Sequence, residues 1–170
     1  MVIMSGCAAQ VKSGYKPETR VYALPTTGTA AGPLAPEGWN FSARGTFGWP
    51  VRGKVSSGFG DETGNGARNK GIEIAARLGG LVRAAKDGRV IFCAENFKGF
   101  GKTLIIDHGD GFLTLYAYNS ELLKKEGSSV KKYEAVAKAG AGGRAKGATL
   151  YFEITKDGRP LDPLDYLSRF

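Results

Sequence analysis

Short apolar runs separated by glycine-containing turns fill the chain from residue 44 onward, and this spacing limits the fold more than any other feature. Runs of four to eight residues that are rich in β-branched and aromatic side chains predict β-strands. The 26 glycines among 170 residues are about twice the usual share, as expected where tight turns are frequent. Apolar residues are nowhere spaced by 3.5 or 3.6 residues over three turns, which excludes helical bundles and coiled coils. The sequence therefore predicts an all-β domain.

Glycine-containing turns also predict which strands pair as hairpins. Asp87-Gly88 is a strong hairpin signal, and further hairpins are predicted at 108–111 and 156–158. The predicted strands cover 47–51, 54–57, 71–76, 81–85, 89–94, 102–107, 112–118, 135–139 and 150–155. The sole predicted helical turn spans 120–126.

The first 43 residues differ in composition from the rest. Ser5-Gly6-Cys7 follows an apolar stub and is similar to the lipobox of bacterial lipoproteins, so residues 1–7 are interpreted as a truncated signal with lipidation at Cys7. Residues 8–43 hold four of the seven prolines and predict a linker, and residues 44–170 are the folded domain. Lipidation predicts a lipoprotein at the periplasmic face of the outer membrane. The alternative is an ordinary terminal cysteine.

Charge and histidine content restrict the function. Twenty-four Lys and Arg against 16 Asp and Glu give a net charge of +8, which favours polyanionic surroundings such as anionic lipid or the cell wall. The basic residues are dispersed and no nucleic-acid-binding module is present, so nucleic acid is not an expected partner. His108 is the single histidine, which excludes catalysis by several imidazoles of this chain. We interpret it as a turn or surface residue.

Several motifs, in the same order along the chain, resemble the lysostaphin/LytM-type metallopeptidase domain of peptidase family M23. The segments that carry the resemblance are 45–60, Asn69-Lys70-Gly71-Ile72-Glu73-Ile74-Ala75-Ala76, 82–90, Leu115-Tyr116-Ala117-Tyr118, 150–154 and 158–164. They cover roughly 45–168, nearly the whole folded part. The resemblance implies a small antiparallel two-sheet sandwich, or a barrel-like fold, with short helical turns.

The resemblance also locates the family's metal site. Active members hold zinc with a histidine, an aspartate four residues later and the second histidine of a His-x-His pair, and two more histidines assist the attack of water on peptidoglycan. The corresponding ligand positions here are Asn69, Glu73 and Tyr151, and the assisting positions are Tyr118 and Thr149. Catalytic zinc needs three protein ligands, which one carboxylate beside an amide and a phenol does not supply. We therefore expect a pseudo-metallopeptidase that uses no metal and no cofactor.

The two tyrosine replacements resemble the degenerate LytM domains of the murein hydrolase activators of cell division. Those proteins bind N-acetylmuramoyl-L-alanine amidases, zinc enzymes held inactive by one of their own helices, and relieve that inhibition. By this resemblance the vacated groove would bind an amidase, with Leu115, Leu150, Phe152 and Ile154 facing the core by strand alternation. The predicted groove residues are Lys70, Glu73, Phe100, Thr103, Tyr116, Tyr118, Arg144, Tyr151, Glu153 and Thr155.

Alternatives remain for both the residues and the function. The tyrosines could simply pack against neighbouring strands, Phe100 could anchor a loop, and Arg144 could be a solvated loop charge. A second function is a lipoprotein scaffold that binds peptidoglycan, which the positive charge and the linker favour. A third is a residual zinc endopeptidase with unusual ligands.

Overall fold

The computed structural model describes residues 43–63, 66–143, 145 and 147–169, and strands dominate this part of the chain. The elements are β1 (Val55–Ser57), β2 (Ile72–Ala75), β3 (Leu81–Arg83), β4 (Gly88–Ala94), β5 (Lys102–Asp107), β6 (Phe112–Leu122), β7 (Ser129–Val130), β8 (Ala135–Ala139), β9 (Thr149–Lys156), β10 (Arg159–Leu161) and α1 (Pro163–Tyr166). The predicted all-β class is confirmed. Cys7, the predicted linker up to residue 42 and Arg144 lie outside the described residues.

Antiparallel pairing joins the ten strands of the described chain into one branched sheet. Its main path runs β1-β2-β9-β6-β5-β4-β7, while β10 pairs with β9, and β8 joins β3 to β6. The long strands β6 and β9 lie at the centre and pair over six residues, from Phe112 opposite Lys156 to Ala117 opposite Tyr151. Every predicted site residue on a strand therefore lies on β2, β5, β6 or β9, which are consecutive neighbours on this path.

Strand alternation decides which side chains of β9 and β2 enter the core. Leu150, Phe152 and Ile154 are fully buried, as predicted, and Ile72 and Ile74 of β2 lie with them. Because successive side chains in a strand point to opposite faces, the intervening residues of both strands lie on the other side of the sheet. That opposite face carries the candidate site.

Two of the three predicted hairpins are confirmed, and the one at Asp87-Gly88 is wrong. β5 pairs with β6 and β9 with β10, each across its predicted turn. β3 and β4 instead separate, because β3 pairs with β8 and β4 with β5 and β7. Asp87 has another role there: its carboxylate accepts a hydrogen bond from the Lys132 backbone N–H at 2.7 Å.

Two smaller predictions are also wrong. Residues 47–51 do not form a strand; they contribute only an isolated bridge from Phe47 to Leu167. The predicted helical turn starting at Ser120 begins instead as the end of β6, which continues to Leu122 and pairs there with β8. Residues 120–122 extend β6 because they pair with the distant strand β8. Residues 47–51 form no strand because only Phe47 has a bridging partner.

His108 lies at the hairpin turn, as one of its two interpretations had it, but it is buried inside the domain, so the interpretation as a surface residue is wrong. Its Nδ1 lies 2.8 Å from the Asp87 carbonyl oxygen and its Nε2 lies 2.7 Å from the Thr114 hydroxyl. The Thr114 hydroxyl is 2.9 Å from that of Tyr116, which accepts a hydrogen bond from the Ala85 N–H. Burial lowers the pKa of His108, so the neutral imidazole fits this chain of hydrogen bonds. The histidine has a structural role.

The single helix of the described residues, α1, is one turn long. Pro163 begins it, and the Asp162 carboxylate caps it by accepting a hydrogen bond from the Leu164 N–H at 2.9 Å. Within the described part of the chain, no helix has the length and apolar character needed to cross a membrane.

Candidate functional site

The pairing of β2 with β9 brings two of the predicted metal positions together. Glu73 and Tyr151 are direct partners across the two strands, and Thr149 lies opposite Ala75 in the same register. Residues directly opposite each other in an antiparallel pair have Cβ atoms about 4.5–5.5 Å apart, within reach of one another. The fold therefore places residues 73 and 151 side by side, as two ligand positions of one metal site would be.

Asn69, at the first ligand position, is held by the protein itself. Its Nδ2 donates a hydrogen bond to the Ser57 hydroxyl, and its Oδ1 accepts one from the Gly71 N–H, each at 3.1 Å. The side chain is 6% exposed. Both ends of the amide are thus used to fix the loop that leads into β2, so Asn69 acts as a structural residue at this site.

Tyr118 reaches the site because the backbone breaks the alternation of β6. Its φ is +63°, and a register shift lies between the pairings of Leu104 with Tyr116 and of Lys102 with Asn119. As a result Ala117 and Tyr118 both contact Tyr151, on the face opposite to the one that Tyr116 occupies. A left-handed conformation is unfavourable for tyrosine, so surrounding packing must hold it.

Three aromatic rings pack against each other over the former metal positions; we call Phe100, Tyr118 and Tyr151 the aromatic cluster. The Phe100 ring centroid lies 5.0 Å from that of Tyr151 and 6.0 Å from that of Tyr118, and the two tyrosines are 5.7 Å apart. Gly143 closes over the cluster: a Cβ there would lie 2.8 Å from Tyr118 Cδ1 and 2.5 Å from the Gly99 oxygen. Both tyrosines are more than nine-tenths buried, so they form a filled floor and do not protrude.

Glu153 lies beside this floor in an unusual electrostatic environment. The Tyr151 hydroxyl donates a hydrogen bond to its carboxylate. Burial raises the pKa of Glu153 above 4.5, its ordinary value, although the hydrogen bond from Tyr151 and the charge of Lys70 act in the opposite direction. Burial, together with the charge of Glu153, also raises the pKa of Tyr151, so the phenol stays protonated. A neutral phenol that donates to a carboxylate is not a zinc ligand.

The raised pKa of Glu153 predicts a pH-dependent stability. A carboxyl whose pKa is higher in the folded state stabilises the fold fully below its ordinary value of 4.5, and this contribution is lost as the pH rises through the folded-state value. We expect the free energy of unfolding of the wild type, relative to Glu153→Gln, to fall as the pH rises above 4.5, by at most about 1.4 kcal/mol per pH unit. Urea unfolding of both proteins across this range measures it. A difference that does not change with pH would contradict the prediction.

Two predicted groove residues are buried elsewhere, and their assignments are wrong. Tyr116 is fully buried in the main core, where its ring lies 5.3 Å from that of Phe152 and its pKa is raised to about 12 by burial. Placing Tyr116 in the groove together with Tyr118 assumed regular alternation, by which residues 116 and 118 share a face, and the left-handed residue at 118 interrupts it. Thr103 is also fully buried, and its hydroxyl donates to the Gly101 carbonyl. Neither side chain is accessible to a partner.

Of the other predicted residues, Glu73 and Glu153 lie next to Tyr151, Lys70 lies near Glu153, and Thr155 lies farther along β9, opposite Leu113. Lys70 is exposed at the start of β2, while Glu73, Glu153 and Thr155 are partly exposed on β2 and β9. Leu115 was expected in the core but packs against the aromatic cluster instead, opposite Glu153. Leu115 was missed because a leucine in a strand ordinarily indicates the core face, and no local pattern indicated the break of alternation at Tyr118 that leaves Leu115 on the site face.

The donor set does not suit a metal ion. Asn69 and Tyr151 are committed to hydrogen bonds within the protein, which leaves Glu73 as the one carboxylate at the three ligand positions. Among the described residues, no three His, Cys, Asp or Glu side chains are grouped so as to hold a metal. Because zinc needs three protein ligands, the residues present do not fit it.

The sequence profile of peptidase family M23 matches residues 67–163, which is more than half of the chain. The matched range includes the five metal-site positions, Asn69, Glu73, Tyr118, Thr149 and Tyr151. The chain belongs to this family. The fold agrees: the crystal structure of a zinc containing peptidase from Vibrio cholerae superposes with a TM-score of 0.66 and 29% identity, over 74% of this chain and 41% of that one.

Two relatives are similar to this chain over most of its length. The lipoprotein NlpD/LppB homolog of Pseudomonas aeruginosa is 39% identical over 127 residues, which are 75% of this chain and 41% of that protein. The murein hydrolase activator NlpD of Escherichia coli K12 is 38% identical over 122 residues, 72% of this chain and 31% of that protein. This chain thus spans less than half the length of these relatives.

Proposed function

We propose that this chain is a non-catalytic activator of a cell-wall N-acetylmuramoyl-L-alanine amidase, which it binds through the groove above the aromatic cluster during peptidoglycan remodelling and cell separation. One observation carries the proposal. A family M23 fold is present, yet its ligand positions are occupied by side chains that bond to the protein itself, as Asn69 and Tyr151 do.

The similarity to a murein hydrolase activator supports the choice of an activator over a hydrolase. That similarity extends over 122 residues, which are 72% of this chain. An activator needs no bound metal; it needs a rigid surface that complements its partner. The packed aromatic cluster supplies the rigidity, because buried rings at centroid distances of 5.0–6.0 Å lose little further freedom on binding.

The accessible groove residues would make the direct contacts. Lys70, Glu73 and Glu153 lie beside the cluster, Thr155 lies farther along β9, and all four keep part of their surface exposed. Arg144 is proposed to join them from the neighbouring loop. By binding the open form of an amidase more tightly than the closed form, the groove would shift the amidase toward its active state, by no more than the difference between the two affinities.

The proposal includes a place at the cell envelope. The lipoprotein name of the Pseudomonas relative supports lipidation of Cys7, which would attach the chain to a membrane next to the peptidoglycan. The segment between Cys7 and the domain would then act as a tether, letting the groove reach an amidase at the cell wall.

Activation of a purified amidase on dye-labelled sacculi tests the proposal. The wild-type chain should increase dye release, and the double variant Lys70→Ala/Glu73→Ala should activate about tenfold less, as expected when two central contacts are lost. The matched control is Lys125→Ala/Glu126→Ala, which removes one charge of each sign from two exposed residues beyond β6. It should activate like the wild type.

Three outcomes would contradict the proposal. The first is a wild type that activates none of the organism's amidases, and the second is equal loss in the groove and control variants. The third is binding of the chain to purified sacculi with no effect on any amidase, which would favour the peptidoglycan-binding scaffold that the net charge of +8 also suits.

A further inference from the structure

A second surface, distinct from the groove, combines exposed apolar and basic side chains around β3. The large apolar residues Leu78, Leu81 and Tyr133 are 64%, 46% and 48% exposed. Leu78 lies in the turn closed by the hydrogen bond from the Gly80 N–H to the Arg77 carbonyl, and Leu81 begins β3 directly after it. We call Arg77, Leu78, Leu81, Arg83 and Tyr133 the β3 face.

The backbone connects these residues into one surface. Leu81 and Arg83 point to the same side of β3, because Val82 between them is fully buried. The Arg83 guanidinium donates to the Tyr133 carbonyl at 2.8 Å, and the Tyr133 N–H donates to the Ala84 carbonyl. The turn before β8 is thereby held against β3, so the exposed tyrosine is next to the exposed arginine.

The exposed position of Tyr133 requires an unfavourable backbone conformation. Its φ is +67°, a conformation that an L-residue with a large side chain rarely adopts. Its ring lies over the backbone of Gly48, where a Cβ would come within 2.3 Å of the ring, and Lys132 Nζ lies 5.1 Å from the ring centroid. The ring is fixed in place with nearly half of its surface exposed, which is expected when that surface has a use.

The charge of the β3 face is positive and uncompensated. The acidic residues near it each pair with a lysine: Glu121 with Lys138, Glu134 with Lys124, and Asp87 with Lys131. Within the described residues, neither Arg77 nor Arg83 has an ion-pair partner. Leucine and tyrosine rimmed by arginine match the chemistry of a bilayer interface, where apolar groups enter the headgroup region and basic groups meet phosphates.

We propose that the β3 face binds the surface of a membrane that contains anionic phospholipid. A second copy of the chain is the less suitable occupant, since two chains of net charge +8 would meet through basic faces. The proposal goes beyond amidase activation and does not depend on it. If Cys7 is acylated, the tether keeps the domain close to the bilayer, so a weak affinity of the face is sufficient to orient it.

Vesicle co-sedimentation tests the proposal with the full chain carrying Cys7→Ser, so that no acyl group contributes. The chain should bind vesicles of phosphatidylglycerol mixed with phosphatidylcholine and bind phosphatidylcholine alone far more weakly. Arg77→Gln/Arg83→Gln should weaken binding about 30-fold, at about fivefold per basic residue. Leu78→Ser/Leu81→Ser should weaken it by about tenfold or more. Added salt should weaken the wild type more than the arginine variant.

The control is Leu164→Ser, which removes a leucine of similar exposure, 47%, on α1. It should bind vesicles like the parent, and circular dichroism should show all variants folded. Absence of binding to the anionic vesicles, binding that the β3-face variants leave unchanged, or a Leu78-dependent dimer in sedimentation would overturn the proposal. Amidase activation in solution by the leucine variant should equal that of the wild type, so failure here is distinguishable from failure of the proposed function.

Discussion

Replacing Tyr151 by alanine is expected to lower the free energy of unfolding by about 3–5 kcal/mol, the usual cost of deleting a buried aromatic ring. The ring packs against Phe100 at 5.0 Å and Tyr118 at 5.7 Å, and only 6% of Tyr151 is exposed. Its hydroxyl is also the donor to the partly buried carboxylate of Glu153. Urea unfolding at neutral pH, followed by tryptophan fluorescence, measures the change.

Tyr151→Phe is the matched control, because it keeps the ring and removes only the hydroxyl. We expect a smaller loss of about 1–3 kcal/mol, from the carboxylate of Glu153 left without its donor. A loss below about 1 kcal/mol for Tyr151→Ala would show that the ring lies loosely on the surface. Tyrosines at former histidine positions would then be exposed contacts and not, as their burial indicates, the packed support of the groove.

Rebuilding the ligand set is expected to restore zinc binding. The triple variant Asn69→His/Glu73→Asp/Tyr151→His supplies the two histidines and the aspartate of the family's metal site, on strands that already place residues 73 and 151 opposite each other. After dialysis, elemental analysis should find about one zinc ion per chain in the triple variant and far less in the wild type. The reason is that three protein ligands are needed, and the wild type offers one carboxylate.

The double variant Asn69→His/Glu73→Asp is the control for this experiment. It retains Tyr151, whose hydroxyl bonds to Glu153, and therefore provides two ligands, which should not retain zinc through dialysis. Stoichiometric zinc in the freshly purified wild type would contradict the interpretation as a pseudo-metallopeptidase. A folded triple variant without zinc would show that the backbone of the site has diverged along with its side chains.

Local sequence patterns were sufficient wherever the structure depends on neighbours in the chain. The turns at 108–111 and 156–158 predicted hairpins correctly, because strands joined by a short turn pair with little loss of loop entropy. The core positions Leu150, Phe152 and Ile154 followed from alternation along one regular strand. Asp87-Gly88 carries an equally strong signal, yet its two flanking strands do not pair with each other: β3 pairs with the distant strand β8, and β4 pairs with β5, which follows it, and with β7.

At the candidate site, too, local sequence patterns predicted some features and missed others. The motifs placed Glu73 and Tyr151 together, and the register of β2 and β9 agrees. The face on which Tyr116 lies depended on a single left-handed residue, Tyr118, which no local pattern indicates. Regular alternation would put Tyr116 on the same face as Tyr118, but the break at Tyr118 separates them, so Tyr116 lies in the core and Leu115 on the site face.

The amino-acid sequence by itself determined the all-β class, the family and the loss of the metal ligands, since these depend on residue types and their spacing. Tertiary structure alone decided that the replaced positions are closed by packed rings, because burial and ring contacts arise only when β6, β9 and the loops at Phe100 and Gly143 meet. It also brought together the leucines, arginines and tyrosine of the β3 face, which are as far apart in the chain as Arg77 and Tyr133.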